Sequence, residues 1–449
     1  MKVITIIKSI DLQDYKYHMR GSWSASWPLI FVMLFEFLIS LTDVYIAGKL
    51  GKEYQASVGF VSQIYFIFIV LANAVAIGSV SILSRQFTSG DRKKFSDSVY
   101  SVVLAVSIAG AALSILGVLL GPFTIDIMSI PEELKVICRP LIMILAGGMT
   151  FHYFLINSNG ILRASRNVKK SMVTMAVVCM TNICLNFFLV FNTSLGYRGI
   201  ALSTSLSYLL GSAVNYVHIA TLMNSVKTFS FPVIKDIISI GWPSGLLQIA
   251  WTAGYTLLYL IVSMLPENNV DVIAAFTNGI RIEAAIYMPA FAFALSSAVI
   301  TGNFLGEKKD DSAFRSGIAT GITGVLFISV LTVIVIFNAG TLSAFLSVNP
   351  VVVEECKYYL IISMIGEPLT AWAMILGGSL NGAGDTRSVM IIVAASMWVV
   401  RLPLCYFLAI RLGLGSHAIW WSMNISILIH AVFITKRYLD KRWIKNTLV

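Results

Sequence analysis

Twelve continuous apolar runs succeed one another along the chain, near residues 27 to 47, 57 to 83, 98 to 120, 137 to 161, 171 to 191, 200 to 223, 241 to 264, 273 to 301, 316 to 338, 357 to 380, 389 to 410 and 417 to 435. Each has about the 20 residues that a helix needs to cross a hydrocarbon layer of about 30 Å. Stretches such as Ile64 to Val70 and Val325 to Ile336 do not alternate as membrane β-strands do, and lipid leaves the helix as the way to satisfy their backbone. The pattern predicts an all-α membrane protein with twelve transmembrane helices. Polar segments between the runs also repeat. Leu162-Arg163-Ala164-Ser165-Arg166-Asn167-Val168-Lys169 after the fourth run has a counterpart in Leu380-Asn381-Gly382-Ala383-Gly384-Asp385-Thr386-Arg387 after the tenth. Arg85-Gln86-Phe87 with Gly90-Asp91-Arg92 is echoed by Gly302-Asn303-Phe304 with Gly306-Glu307-Lys308 after the eighth, an offset of about 217 residues. A doubled six-helix unit is the expectation, with an N-terminal lobe over residues 1–225, a cytoplasmic linker over 226–235 and a C-terminal lobe over 236–449.

Composition agrees: 57% of residues are hydrophobic and only 12% charged, too little polar surface to coat a soluble particle of 449 residues. The net charge of +10 raises the question of nucleic acid, but the basic residues follow topology instead. With the N-terminus inside, the inner segments hold 23 Lys and Arg, among them Arg163, Arg166, Lys169 and Lys170, and the outer segments hold seven. This asymmetry places a multi-pass chain in the cell (inner) membrane with both termini cytoplasmic, in contact with lipid and without nucleic acid. The first 26 residues carry six charges and no sustained apolar core, so no cleavable signal peptide is expected. Five cysteines, three within spans, show neither disulfide nor metal-ligand spacing.

Charges inside the runs are the candidate chemistry, because each costs on the order of 3 kcal/mol at a helix centre. They are Glu36, Asp43, Arg281, Glu283, Glu367 and Arg401. Glu36 and Asp43 are seven residues apart, hence on one face of the first helix. Asn182 and Asn186, four apart in the fifth helix, share a face with Thr181 nearby and Thr204 in the next helix. Such amides serve interhelical hydrogen bonding or a cation or protonated carboxylate equally well. In the second half, Arg281 and Glu283 precede Pro289, and their charged candidates for partners are Glu367 beside Pro368 and Arg401. Two arginines and two acids fit a packed ion network, while a substrate or proton site is the other reading.

Thr42-Asp43 followed by Gly48-Lys49-Leu50-Gly51, the two repeated loops, and Arg281-Ile282-Glu283 to Met288-Pro289-Ala290-Phe291 running into Gly302-Asn303-Phe304-Leu305-Gly306 resemble the multidrug and toxic compound extrusion (MATE) family, in its prokaryotic, DinF-like branch. The resemblance spans about residues 23 to 435. It implies two six-helix lobes related by pseudo-two-fold symmetry, V-shaped with a central cavity. It also implies a secondary antiporter that exports organic compounds, cationic or amphipathic, in exchange for inward sodium ions or protons by alternating access. By the same resemblance Asp43 is the N-lobe cation-coupling acid, with Asn182, Thr204 and the nearby Asn186 and Glu36 around it, and sodium at Asp43 is the one metal implied. Asn186 stands where that branch usually has a second Asp, and the seventh-helix acid of another branch is absent from Gln248-Ile249-Ala250-Trp251, where Thr370 and Glu367 occupy the tenth helix.

On this reading no cofactor is needed beyond the coupling ion, the chain is a monomer, and low dielectric favours neutralising Asp43 in a step that repacks the first helix. Tyr65, Phe66, Trp251, Tyr255, Tyr259, Met288 and Phe291 are candidates for an adaptable apolar lining. A lipid or lipid-linked glycan flippase of the same superfamily would need a more cationic cavity than Arg281 and Arg401 provide. An intramembrane enzyme would need clustered catalytic groups, whereas His18, His152, His218, His417 and His430 are scattered.

Overall fold

The structure, a computed structural model, describes residues 12–223 and 227–445. Helices follow the apolar runs: α1 Leu12–Leu50, α2 Lys52–Thr88, α3 Arg92–Ile127, α4 Glu132–Gly147, α5 Met149–Ala164, α6 Val168–Phe191, α7 Arg198–Ala220, α8 Phe231–Ser263, α9 Asn269–Gly306, α10 Asp310–Leu346 and α11 Pro350–Gly382. Then come α12 Thr386–Ala395, α13 Leu402–Tyr406 and α14 Gly415–Leu439, with π-helical turns Ser396–Arg401 and Phe407–Arg411 on either side of α13 and its Pro403. Among the described residues, ten helices are long and apolar enough to cross a bilayer, or eleven when α4 and α5, bent by 48°, are taken as one broken span. The expected span near 200 to 223 is helical as α7 but not among them, because Ser203, Thr204, Ser205, Ser207, Ser212 and Asn215 dilute its apolar content.

Helix starts are written locally. The Asp91 carboxylate accepts from the Lys94 backbone N–H at 2.9 Å ahead of α3, and Asn349 accepts from Val351 at 3.0 Å ahead of α11, where Pro350 supplies the preset first turn.

Packing divides the chain into two compact units: Phe31–Gly245, and the described residues up to Ile30 together with those from Leu246 onward. The sequence places the meeting of its halves at 226–235. Residue 226 lies outside the described residues, and α8 already begins at Phe231. The change from one unit to the other falls inside α1 and α8, in each case three residues after a proline, Pro28 and Pro243. Proline removes a backbone hydrogen bond and is where a helix changes direction most cheaply. The first unit has a core around Ile46, Val58, Val61, Ile125, Leu141 and Ile200. The core of the second surrounds Leu258, Phe276, Ile328, Tyr359, Leu402 and Trp420.

The sequence repeat is a structural repeat at an offset of 218. The Asn167 backbone N–H donates to the Leu162 carbonyl at 2.8 Å, and Asp385 donates to Leu380 at 2.8 Å, closing equivalent helix ends. Left-handed backbone occurs at Arg166 and Gly384, and again at Gly90 and Lys308. Gly90 is therefore the counterpart of Lys308, and not of Gly306 as the sequence spacing suggests. Inside the units, Gly160 of α5 lies against the Ala76 carbonyl and Val80 of α2, and Gly378 of α11 lies against the Ala294 carbonyl of α9, 218 residues on in each chain segment. Small residues let these helix backbones approach closely.

Candidate functional site

In the first unit, Asp43 lies on α1 beside two residues of α6 and one of α7. The Asn186 amide donates to Asp43 Oδ1 at 2.8 Å and also to Asn182 Oδ1 at 3.1 Å. The Asn182 amide donates to Thr204 Oγ1 at 3.0 Å, and the Thr204 hydroxyl donates to Asp43 Oδ2 at 3.0 Å. Four side chains from three helices thus close a ring of hydrogen bonds. The helical spacing of four puts both asparagines on one face of α6, and Thr204 completes the ring from α7. Asn182 and Asn186 are fully buried, and Asn186 Oδ1 has no hydrogen-bond partner. An unpartnered buried amide oxygen beside a carboxylate is an acceptor waiting for a proton donor or a cation. The set of Asp43, Asn182, Asn186 and Thr204 is all hard oxygen where it can ligate, which fits sodium as well as a proton. Among the described residues no group of three or more His, Cys, Asp or Glu is placed to hold a metal.

Glu36 does not join this ring. It is exposed, without an ion-pair contact, and its charged neighbour is Arg163 of α5. Arg163, expected in an inner loop, is instead part of the helix and only 8% exposed, with Nε unpartnered. Sequence reasoning missed it because Arg163 ends an apolar run and counted as a loop cation. The available signal was Gly160 one turn earlier, past which a side chain directed toward the helix N-terminus can lie. Tyr208 of α7 has Asp43 and Glu36 as its charged neighbours, and its ring stacks on His152 with centroids 4.0 Å apart. His152 Nδ1 is 3.0 Å from the hydroxyl of Tyr65, which brings one of the expected lining residues into this group.

In the second unit, the four expected charges separate. Glu283 accepts from the Tyr359 hydroxyl, and its carboxyl is within hydrogen-bonding reach of Glu367, which is 1% exposed. The two carboxyl groups form a part-buried acidic pair in this unit, with the Tyr359 hydroxyl on Glu283. Arg401, also buried, donates through Nε to Ser426 at 2.8 Å and lies 5.5 Å from the Trp251 ring centroid. It acts on both acids electrostatically but is not within ion-pair contact of either, and His430 is its further titratable neighbour. Arg281 is exposed and belongs to a different face of α9 from Glu283, as a spacing of two requires. Of the expected lining residues, Trp251 and Tyr255 pack together at 5.5 Å beside this cluster, Tyr259 packs on Phe276, Phe291 stacks on Tyr287, Phe66 is exposed, and Met288 is half-buried.

Comparison with known proteins gives the same frame. The MatE family profile matches residues 28–188 and 243–407. An uncharacterized transporter, YisQ, of Bacillus subtilis is 21% identical over 98% of this chain and 98% of its own. A probable multidrug resistance protein, NorM, of Thermotoga maritima is 22% identical over 92% of this chain and 90% of its own. Among solved structures, a MOP superfamily transporter from Pyrococcus furiosus superposes with a TM-score of 0.87 at 20% identity, covering 96% of this chain and 97% of that one. A multidrug resistance MATE family transporter in an outward-facing conformation gives 0.87 at 20% identity over 95% and 97%.

Proposed function

The chain belongs to the MatE family, whose members are membrane transporters and not enzymes, and we propose that it is a secondary antiporter that exports organic compounds against an inward flow of a coupling cation. The observation that carries this reading is the ring around Asp43, a part-buried carboxylate whose two oxygens are held by Asn186 and Thr204 while Asn186 Oδ1 is left unpartnered. A charge inside an apolar helix is costly unless it binds something in turn. Asp43, with the oxygens of Asn182, Asn186 and Thr204, would hold a proton or a sodium ion. Neutral Asp43 no longer accepts two charge-assisted hydrogen bonds, so the packing of α1 on α6 and α7 loosens on loading and tightens on discharge. That difference between two packings is what a coupling ion can exploit. The inner-membrane location with both termini cytoplasmic follows from the basic inner segments.

Purified protein in liposomes tests this under separately imposed sodium and proton gradients. Asp43→Asn preserves volume and polarity but removes the ionisable group, so it is expected to insert normally and to lose gradient-driven export. Wild-type export by Asp43→Asn would overturn the assignment.

A further inference from the structure

We propose that the second unit carries a binding site for one anionic phospholipid of the inner leaflet, in a groove between α11 and α14 whose mouth presents Lys436 and Arg442. On the orientation given above, that mouth is cytoplasmic. The groove has a volume of 670 Å³. Its α14 wall is written in two rows at a spacing of four, Leu428, Val432 and Lys436 in one and Ala431, Thr435 and Leu439 in the other. An apolar stripe thus runs toward the helix end and finishes in a charge. Eight residues separate Leu428 from Lys436, about 12 Å of helix, close to the roughly 15 Å of hydrocarbon in one leaflet. The α11 wall is Leu369 and Trp372. Trp372 Nε1 donates to Thr435 Oγ1 at 2.8 Å, and that hydroxyl donates to the Ala431 carbonyl at 2.6 Å. These polar atoms satisfy one another and leave an apolar surface for an acyl chain.

The end of α14 and the short turn Arg442–Lys445 after it carry Lys436, Arg437, Lys441 and Arg442. Two of these are paired inside the unit, Arg437 with Asp385 at 2.7 Å and Lys441 with Asp311 at 3.6 Å. Lys436 and Arg442 are exposed, line the groove and make no ion pair among the described residues. The chain turns at Lys441, whose backbone is left-handed, and so returns Arg442 to the groove. Trp443 fixes that turn: it has no exposed surface, stacks on Tyr438 and donates from Nε1 to the Tyr438 carbonyl at 2.8 Å. Asp440 is the one acid among the lining residues, so two cations less one carboxylate leave the mouth with a single positive charge. That is the complement of one phosphodiester, for which a guanidinium supplies a matching fork and an ammonium a point charge. A zwitterionic lipid brings its own cation to the mouth and cancels the attraction. An anion without chains gains nothing from the apolar stripe. Stripe and mouth together therefore select a phospholipid with a negative headgroup.

Native mass spectrometry of the purified full-length protein in detergent tests this, with dioleoyl phosphatidylglycerol, dioleoyl phosphatidylcholine and glycerol phosphate as probes. Wild-type protein is expected to bind one phosphatidylglycerol about tenfold more tightly than phosphatidylcholine, and glycerol phosphate should not displace it. Lys436→Gln and Arg442→Gln should each weaken phosphatidylglycerol about fivefold and the double variant about thirtyfold, while Asp440→Asn should tighten it about fivefold. Removing two charges elsewhere, in Arg92→Gln with Lys93→Gln at the start of α3, should leave the affinity within about twofold of wild type. All five of these side chains are exposed, so the variants are expected to fold as wild type does. Phosphatidylglycerol brominated in its acyl chains should quench the part of the tryptophan fluorescence that Trp372→Phe lacks, placing the chain in the groove. Absence of a preference over phosphatidylcholine, wild-type affinity in the double variant, or an equal loss in the Arg92 and Lys93 variant would overturn the proposal. So would displacement by glycerol phosphate, or equal quenching of wild type and Trp372→Phe. A lipid-free dimer that the double variant loses would also overturn it, by giving the groove to a second copy of the chain.

Discussion

Replacing Glu283 by leucine should destabilise the protein far more than replacing it by glutamine, and the difference follows from the carboxyl pair in the second unit. Glu283 accepts the Tyr359 hydroxyl and lies within hydrogen-bonding reach of Glu367. Leucine removes both interactions at once. The Tyr359 hydroxyl, on a residue with no exposed surface, is orphaned, at a cost of about 1 to 3 kcal/mol. Glu367, 1% exposed and with Oε2 already lacking a hydrogen-bond partner, loses its neighbour as well, for about the same again. The expected destabilisation is about 2 to 5 kcal/mol, in the range of breaking a buried polar network. Glutamine keeps an oxygen for Tyr359 and offers Glu367 an N–H, so its cost should be about 1 kcal/mol or less. Equilibrium unfolding of the detergent-solubilised protein compares the two directly, read by tryptophan fluorescence because Trp251 and Trp420 flank this region. Arg401→Met provides the internal check: with no ion-pair contact to Glu283, its coupling to Glu283→Gln should be under about 0.5 kcal/mol. Equal losses for glutamine and leucine, or strong coupling to Arg401, would refute the carboxyl pair and restore a packed ion network.

Thr204→Val is isosteric but removes the hydroxyl that donates to Asp43 Oδ2, so the half-saturating coupling-cation concentration in the liposome assay should rise about tenfold, with recovery in Thr204→Ser; an unchanged value would place Thr204 outside the coupling step. The neighbouring glycines of α11 should behave oppositely in thermal unfolding. Gly377→Ala, whose new methyl meets Val389 at an ordinary 3.6 Å, should gain about 0.5 to 1 kcal/mol from helix propensity. Gly378→Ala drives a methyl into the Ala294 carbonyl and should lose about 1 to 3 kcal/mol; a stabilised Gly378→Ala would refute the close approach of α9 and α11.

The division of labour between sequence and tertiary structure is physical. Lipid forces every spanning backbone to satisfy itself locally, so long apolar runs already determine helices, and the cost of burying charge already marks Asp43, Glu283, Glu367 and Arg401. The repeat was legible for the same reason: helix ends need particular caps, and the motifs at Leu162 and Leu380 close equivalent ends. Even Asn182 and Asn186 could be placed together, because four residues make one turn of a single helix. Whatever depends on which helix lies next to which was not legible. Thr204 reaches Asp43 only because α7 packs beside α1, and Glu283 meets Glu367 and leaves Arg281 outside only because α9 presents one face to α11. Arg163 reads as a loop cation until the fold buries it at the end of α5 beside the bare Gly160. The compact units likewise exchange ends three residues after Pro28 and Pro243, which no hydropathy pattern records. Local backbone chemistry is written in one helix at a time, whereas a site made from three helices exists only once their side chains compete for the same few partners in a medium that supplies no others.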